Sequence, residues 1–285
     1  MNPTTPQTIL VTGATGQVGR HLVSELLAAG HRVRALSRTP ETANLPEAVD
    51  VLPGNFSGEL PDGLFKDVDA AFVFAAHGAA SFVEAAAAAG VPRLVLLSSL
   101  AAALEHERDH GSFSQLHHSA IEEVVRASGT SWTILRPGTF ANNLLTWATP
   151  IRYTGGVTGP YPTSAQAPIH EADVAAAAAV VLTRPGHDGK IYPMTGPQAL
   201  SRTDQLAAIG AAIGRELTFT ENTPDEFRAE MARYGVADGV VKMLLDYWSD
   251  TVDSPDVVRS TEALTGGPAR TLAAWAQDHA ADFGG

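Results

Sequence analysis

The chain has 285 residues, 45% of them hydrophobic, with 31 acidic against 19 basic side chains and a formal net charge of -12. A surface of that sign repels phosphate backbones, so nucleic acid is not expected as a partner. With no cysteine in the sequence, disulfides, thiolate catalysis and cysteine-ligated metals are excluded. The ten histidines form no His-Glu-x-x-His or similar spacing, and no metal site is expected. The apolar runs are short and broken by glycine and proline, so no membrane span is expected. Met1 to Gln7 carries neither a basic flank nor a long apolar core, which predicts a cytoplasmic protein.

In chain order, Thr8 to Thr12 reads as a buried strand, because Ile9, Leu10 and Val11 follow one another without polar alternation. Val18 to Ala29 has helical spacing, with Val18, Leu22, Leu26 and Leu27 on one stripe and Gly30 as a stop. Further strands are predicted at His31–Leu36, Val49–Pro53, Ala70–Phe74 and Leu94–Leu97, with an alanine-rich helix over Ala79–Ala89. Phe113–Ser128 reads as a helix closed by Gly129, and Trp132–Leu135 as a sixth strand stopped by Arg136-Pro137-Gly138. Ala172–Leu182 reads as another helix and Lys190–Met194 as a seventh strand. Alternating strands and helices imply right-handed parallel βαβ units. The expected fold is therefore α/β: a doubly wound parallel sheet of Rossmann type with a smaller, mostly helical lobe.

Residues 1–137 and 171–195 are assigned to the nucleotide domain, and 138–170 and 196–285 to the lobe that would bind substrate. The glycines and prolines between 138 and 170 suggest loops and short strands there. The rest of the lobe reads as helical, with a possible strand at Leu217–Thr220 and a frayed tail at Asp282–Gly285.

Gly13, Gly16 and Gly19 stand between the first strand and the first helix at Gly-x-x-Gly-x-x-Gly spacing. The first permits a tight turn, the second lets the backbone approach a diphosphate, and the third lets helix and strand pack closely. The helix N-terminus that follows offers free N–H groups to an anion. The second strand ends at Leu36-Ser37-Arg38. A carboxylate there would hold a ribose hydroxyl, whereas an arginine grips a 2′-phosphate. The combination predicts NADP(H).

With those residues in view, the chain resembles the NmrA-like branch of the atypical short-chain dehydrogenase/reductases. The resemblance rests on Thr12-Gly13-Ala14-Thr15-Gly16-Gln17-Val18-Gly19, Val33 to Arg38 and Leu97-Ser98-Ser99. It continues through His118-x-x-x-Glu122, Ser128 to Gly138, Phe140-x-Asn142-Asn143, Ile169 to Ala175 and Tyr192 to Pro197. It implies NADP(H) binding and a substrate cleft between the lobes, often with reduction of quinones or carbonyls. It also includes cofactor-binding redox sensors. By position, Gly13, Thr15, Gly16, Gln17 and Val18 would line the diphosphate. Arg38 would meet the 2′-phosphate and Asn55 the adenine, while Phe74, Ala75, Ala76 and His77 would border the nicotinamide-side ribose.

Reductases of the wider group use a Tyr-x-x-x-Lys pair. Aligned on Glu122, His118 stands at the lysine position and Ser114 at the tyrosine position. His118 is a candidate general acid or ribose partner, and Ser99 and Ser114 are candidate hydroxyl donors. His117 lies about 100° round the helix and would point elsewhere. Asn142, Asn143 and His170 are candidate substrate contacts, and Asp173 is expected to cap the following helix. Glu105 to His110 is read as a solvated segment or a mobile flap.

These residues favour an NADPH-dependent reductase of a small apolar carbonyl or quinone. The alternatives are an NADP(H)-binding redox sensor without turnover, and a non-redox isomerase or dehydratase on the same fold.

Overall fold

The computed structural model describes residues 5–55 and 58–285. Residues 1–4, on which part of the expectation about a targeting segment rests, lie outside them. Seven strands form the central sheet: β1 (Thr8–Val11), β2 (Arg32–Ser37), β3 (Val49–Pro53), β4 (Ala70–Phe74), β5 (Arg93–Leu97), β6 (Ser131–Pro137) and, after two short lobe strands, β9 (Lys190–Met194). Their order is β3-β2-β1-β4-β5-β6-β9, and every neighbouring pair is parallel. Parallel neighbours need crossovers, and these are supplied on one face by α1 (Gln17–Ala28) and α5 (Glu171–Thr183), and on the other by α2 (Ala79–Ala88) and α3 (Phe113–Ala127). The predicted strands match within one or two residues at each end, since a strand covered on both faces reads as an unbroken apolar run.

One core cluster joins Ile9, Val11, Leu22, Leu26, Val174 and Val181 between the sheet, α1 and α5. A second joins Leu10, Val73, Phe82, Leu96, Ile121 and Val125 on the opposite face. The strand order reverses between β1 and β4, so the loops after these two strands part and leave a crevice at their C-terminal ends.

The remaining elements are α4 (Ala148–Thr154), β7 (Gly156–Gly159), β8 (Ala165–Gln166), β10 (Leu200–Ser201), α6 (Arg202–Ala212), β11 (Thr218–Glu221), α7 (Pro224–Arg233), α8 (Asp238–Asp253), α9 (Glu262–Thr265) and α10 (Leu272–Asp278). β11 pairs in parallel with β7, and β10 antiparallel with β8. A third core gathers Leu144, Ile151, Val157, Ile209, Trp275 and Phe283, drawn from both lobe segments. Arg202 is buried beneath three aromatic rings, with its guanidinium 3.8 Å from the Trp248 ring centroid.

Two expectations for the lobe need correction. Residues 141–154 form a 3₁₀ turn (Ala141–Trp147) running into α4, not loops and short strands. Asp282–Gly285 is not a frayed tail: Phe283 is fully buried in the third core, and its segment is held by the His279 Nδ1–Asp282 pair at 2.8 Å. No helix among the described residues is long and apolar enough to cross a membrane.

Candidate active site

The glycine loop has the shape its spacing predicts. Gly13 turns with φ of +64°, a conformation that side chains resist. A Cβ on Gly19 would meet the Gly13 carbonyl oxygen at 2.1 Å, so the third glycine is a requirement of close packing. Thr12 fixes the loop to β4: its hydroxyl donates to the Phe72 carbonyl at 2.8 Å and accepts from the Phe74 N–H at 2.8 Å. Gly16 is the N-cap of α1, leaving the first N–H groups of the helix facing the crevice. Arg20 adds a tie that sequence spacing did not reveal. Its Nε donates to the Thr15 carbonyl at 3.0 Å, and its other nitrogens donate to the Ala43 and Asn44 carbonyls. The loop is thereby joined to the segment that follows Arg38.

Above this loop lies a cleft of about 490 Å³. Gly13, Gly16, Gln17, Val18 and Phe74 line it, together with Ser99, His118, Asn142 and Asn143. Arg38 is exposed at the end of β2 and has no ion-pair partner among the described residues. Asn55 is exposed beyond β3, and Thr15 is exposed at the loop crest. Of the four residues after β4 expected near the ribose, Phe74 lines the cleft and Ala75 is buried. Ala76 is half-buried and His77 exposed.

Three buried polar atoms facing this cleft lack a hydrogen-bond partner: Nδ1 of His118 and both amide atoms of Asn142. Buried polar groups are ordinarily paired, and leaving one unpaired costs about 1–3 kcal/mol. These atoms suit a ligand that brings its own hydroxyl and amide groups, as a ribosyl nicotinamide does. Asn142, expected to meet substrate, lines the same cleft as the glycine loop and not the cavity that adjoins it.

A second cavity of about 240 Å³ adjoins the first, and Ser99, Gly138, Phe140 and Asn143 line both. Ser114 faces this second cavity, and its hydroxyl lies 3.5 Å from that of Ser99. Ser99, Ser114 and His118 therefore converge where the cavities meet. α3 is held in register by Glu122, which is 1% exposed. Its carboxylate accepts from Ser98 at 2.6 Å, from Arg126 at 2.5 Å and from Arg136 at 2.6 and 2.8 Å.

Burial, reinforced by His117 and opposed by Glu122, pushes the His118 imidazole down to about 4. The ring is therefore neutral near pH 7. His117 lines neither cavity: its Nε2 donates to the Ala75 carbonyl at 2.8 Å, while its ring meets that of His118 edge-on.

His170 lies away from both cavities. Its Nδ1 accepts from the Ala172 N–H, capping α5, and its Nε2 lies 3.3 Å from Asp278. It is thus the helix cap that Asp173 was expected to be. Asp173 instead accepts from the backbone N–H of Arg270 at 2.7 Å and from its side chain at 2.6 Å. Glu105 to His110 is likewise no free flap. Glu105 pairs with Arg259 at 2.5 Å and Arg108 with Asp250 at 3.0 Å, so the segment is pinned to the lobe and walls the second cavity.

A doubly wound sheet, a glycine loop at its switch point and a cleft with orphaned ribosyl-type partners define a Rossmann NAD(P)H-dependent oxidoreductase. A family model described as NAD(P)H-binding matches residues 13–185. The chain is 37% identical over 282 residues to a (4-alkanoyl-5-oxo-2,5-dihydrofuran-3-yl)methyl phosphate reductase of Streptomyces griseus, covering 96% of this chain and 99% of the relative. It is 32% identical over 290 residues to an NAD(P)H azoreductase of Xenophilus azovorans, covering 97% and 99%. An NADPH-dependent quinone oxidoreductase of Escherichia coli, solved with NADPH, superposes with a TM-score of 0.78 at 25% identity, covering 95% of this chain and 99% of that one. The chain belongs to the NAD(P)H-binding family, and its cofactor is NADP(H).

Proposed function

We propose that the protein is an NADPH-dependent reductase of a small conjugated carbonyl or quinone, with the nicotinamide at the joint between the two cavities. The observation that carries this reading is that Ser99 lines both cavities, with Ser114 3.5 Å from it in the second and the unpartnered His118 Nδ1 and Asn142 amide lining the first. The named activities of the relatives, all reductions or quinone oxidoreduction, support the same class.

The glycine loop and the α1 N-terminus would hold the diphosphate, and Arg38 the 2′-phosphate. The Asn142 amide, with one donor and one acceptor end, would orient a carboxamide. Neutral His118 would accept from or donate to a ribose hydroxyl, which is a positioning role; an imidazolium acid is not populated at neutral pH. Bound NADPH supplies the hydride. The Ser114 and Ser99 hydroxyls, 3.5 Å apart, stand where a developing oxyanion would need a hydrogen bond. A serine is a weak acid, so acceptors whose reduced form is a stabilised anion need least from this site. A quinone meets that condition, and water can deliver the proton.

Steady-state oxidation of NADPH and of NADH is the test, run against a panel of naphthoquinones, enones and simple ketones. Turnover is expected with quinones and enones, slowest with simple ketones, and at least about tenfold better in kcat/KM with NADPH than with NADH, a difference of about 1.4 kcal/mol. No turnover with any acceptor, alongside tight NADP(H) binding, would favour a redox-sensing role instead.

A further inference from the structure

The second cavity is not uniformly apolar. Met243, Leu244 and Val257 line part of it, but Arg108 and Arg259 line it as well. Both guanidiniums are sheltered, with side chains 12% and 24% exposed. Each makes one side-chain hydrogen bond among the described residues, Arg108 Nη1 to Asp250 and Arg259 Nη2 to Glu105. Neither of those acids lines the cavity. A guanidinium has five N–H donors, so most of the donor capacity of both residues is uncommitted. Arg108 is further fixed by lying 5.0 Å from the Tyr247 ring centroid.

Two acids also line the cavity, and both are already engaged. Asp256 accepts the Tyr247 hydroxyl and the Ala167 N–H, the latter at 3.1 Å. Asp109 accepts the His106 N–H at 3.3 Å; burial raises its pKa and the neighbouring Arg108 opposes that rise. Two sheltered arginines with spare donors therefore face the same cavity as two carboxylates whose oxygens already accept hydrogen bonds.

We propose that Arg108 and Arg259 are specificity-determining residues that receive an anionic group of the substrate, a carboxylate or phosphate held apart from the carbonyl that is reduced. This rests on the reductase reading of the same cleft. The acceptor would place its conjugated carbonyl against Ser99 and Ser114, its apolar body along Met243 and Val257, and its anion on the two guanidiniums, whose planar forks suit both oxyanions.

The test compares a naphthoquinone bearing a propanoate side chain with its methyl ester. The two methylene groups insulate the quinone, so both compounds have nearly the same reactivity. The acid is expected to exceed the ester at least about tenfold in kcat/KM, and Arg259→Gln and Arg108→Gln each to bring the acid-to-ester ratio down by about tenfold, with Arg259→Lys keeping part of it. Glu105→Gln separates recognition from pinning. It frees Arg259 without removing its charge, so the acid preference is expected to persist or rise. Equal kcat/KM for acid and ester, or a ratio unmoved by either glutamine variant, would overturn the inference while leaving the reductase reading intact. So would a loss in Glu105→Gln equal to that in Arg259→Gln. If neither compound is reduced, calorimetric titration of both into the NADP+-loaded protein decides the point. Tighter binding of the acid that is lost in Arg259→Gln supports the assignment, and equal binding of acid and ester overturns it.

Discussion

His118 combines three physical features: it lines the cofactor cleft, its Nδ1 is buried without a partner, and burial holds its pKa at about 4. Together they favour a neutral positioning group over an acid. Replacing His118 with alanine is expected to lower kcat while NADPH affinity stays within about tenfold, or roughly 1.4 kcal/mol. In the wild type, kcat is expected to show no ionisation near pH 6.5 that disappears in the variant; such an ionisation would restore His118 as the acid. The same shift has a consequence for stability. The unfolded imidazole titrates at 6.5 and the folded one near 4, so the unfolded chain binds more protons between those values. Stability is therefore lost as pH falls from 6.5 toward 4 and is unaffected by this group above that window. Urea unfolding at pH 7 and pH 5 is expected to show a smaller loss for His118→Asn than for the wild type. His118 was singled out by the family resemblance, aligned on Glu122, and it lines the cleft. His170 misled because a histidine in a loop entering a helix is as readily a cap as a ligand, and nothing local distinguishes the two.

At the scale of elements, α3 is seated by one carboxylate. Glu122 joins the helix to Ser98 at the end of β5 and to Arg136 on β6, so it sets the depth at which Ser114 and His118 meet the cleft. Glu122→Gln keeps the shape but leaves two guanidiniums short of their shared charge. A cost of about 3 kcal/mol is expected, as for breaking a buried ion pair, read as a fall in Tm. Turnover is expected to fall as well. A Tm within about 1 °C of wild type would contradict the seating role, since that is far less than such a cost produces. Most strands of the sheet were legible as short apolar runs, such as Ile9–Val11 ahead of Gly13 and Leu94–Leu97. The pinned segment at Glu105–His110 was not legible, because its partners are distant in sequence: Arg108 meets Asp250 and Arg259 meets Glu105 across 142 and 154 positions. Local pattern reads such a run as solvated, as Glu105, Glu107 and His110 are, but carries no sign of its distant partners. The helical turn at Ala141–Trp147 was hidden for a related reason, since the glycines and prolines that follow it dominated the reading.

Across the whole molecule, the parallel sheet carries the glycine loop, and the segments after β6 and β9 form a third core beside it. The lobe is tied back at the far end of the chain, where Trp275 and Phe283 enter the third core and His279 Nε2 meets the buried Glu171 at 2.9 Å. Burial alone would raise the Glu171 carboxyl, but His170 and His279 against it hold it down at about 2. The glycine loop that lines the first cleft was legible, because such a loop is built from consecutive backbone. The second cavity was not legible, because its walls come from separated stretches at residues 99–101, 106–114, 138–143, 195 and 243–259. The account therefore depends most on where the nicotinamide sits between the two cavities. A crystal structure of the protein with NADPH measures this directly. The ring is expected at the joint of the two cavities, with Asn142 and His118 hydrogen-bonded to the nucleotide and one ring face open toward Ser114 and Arg259. A nicotinamide placed outside that joint, or turned away from the second cavity, would contradict the account.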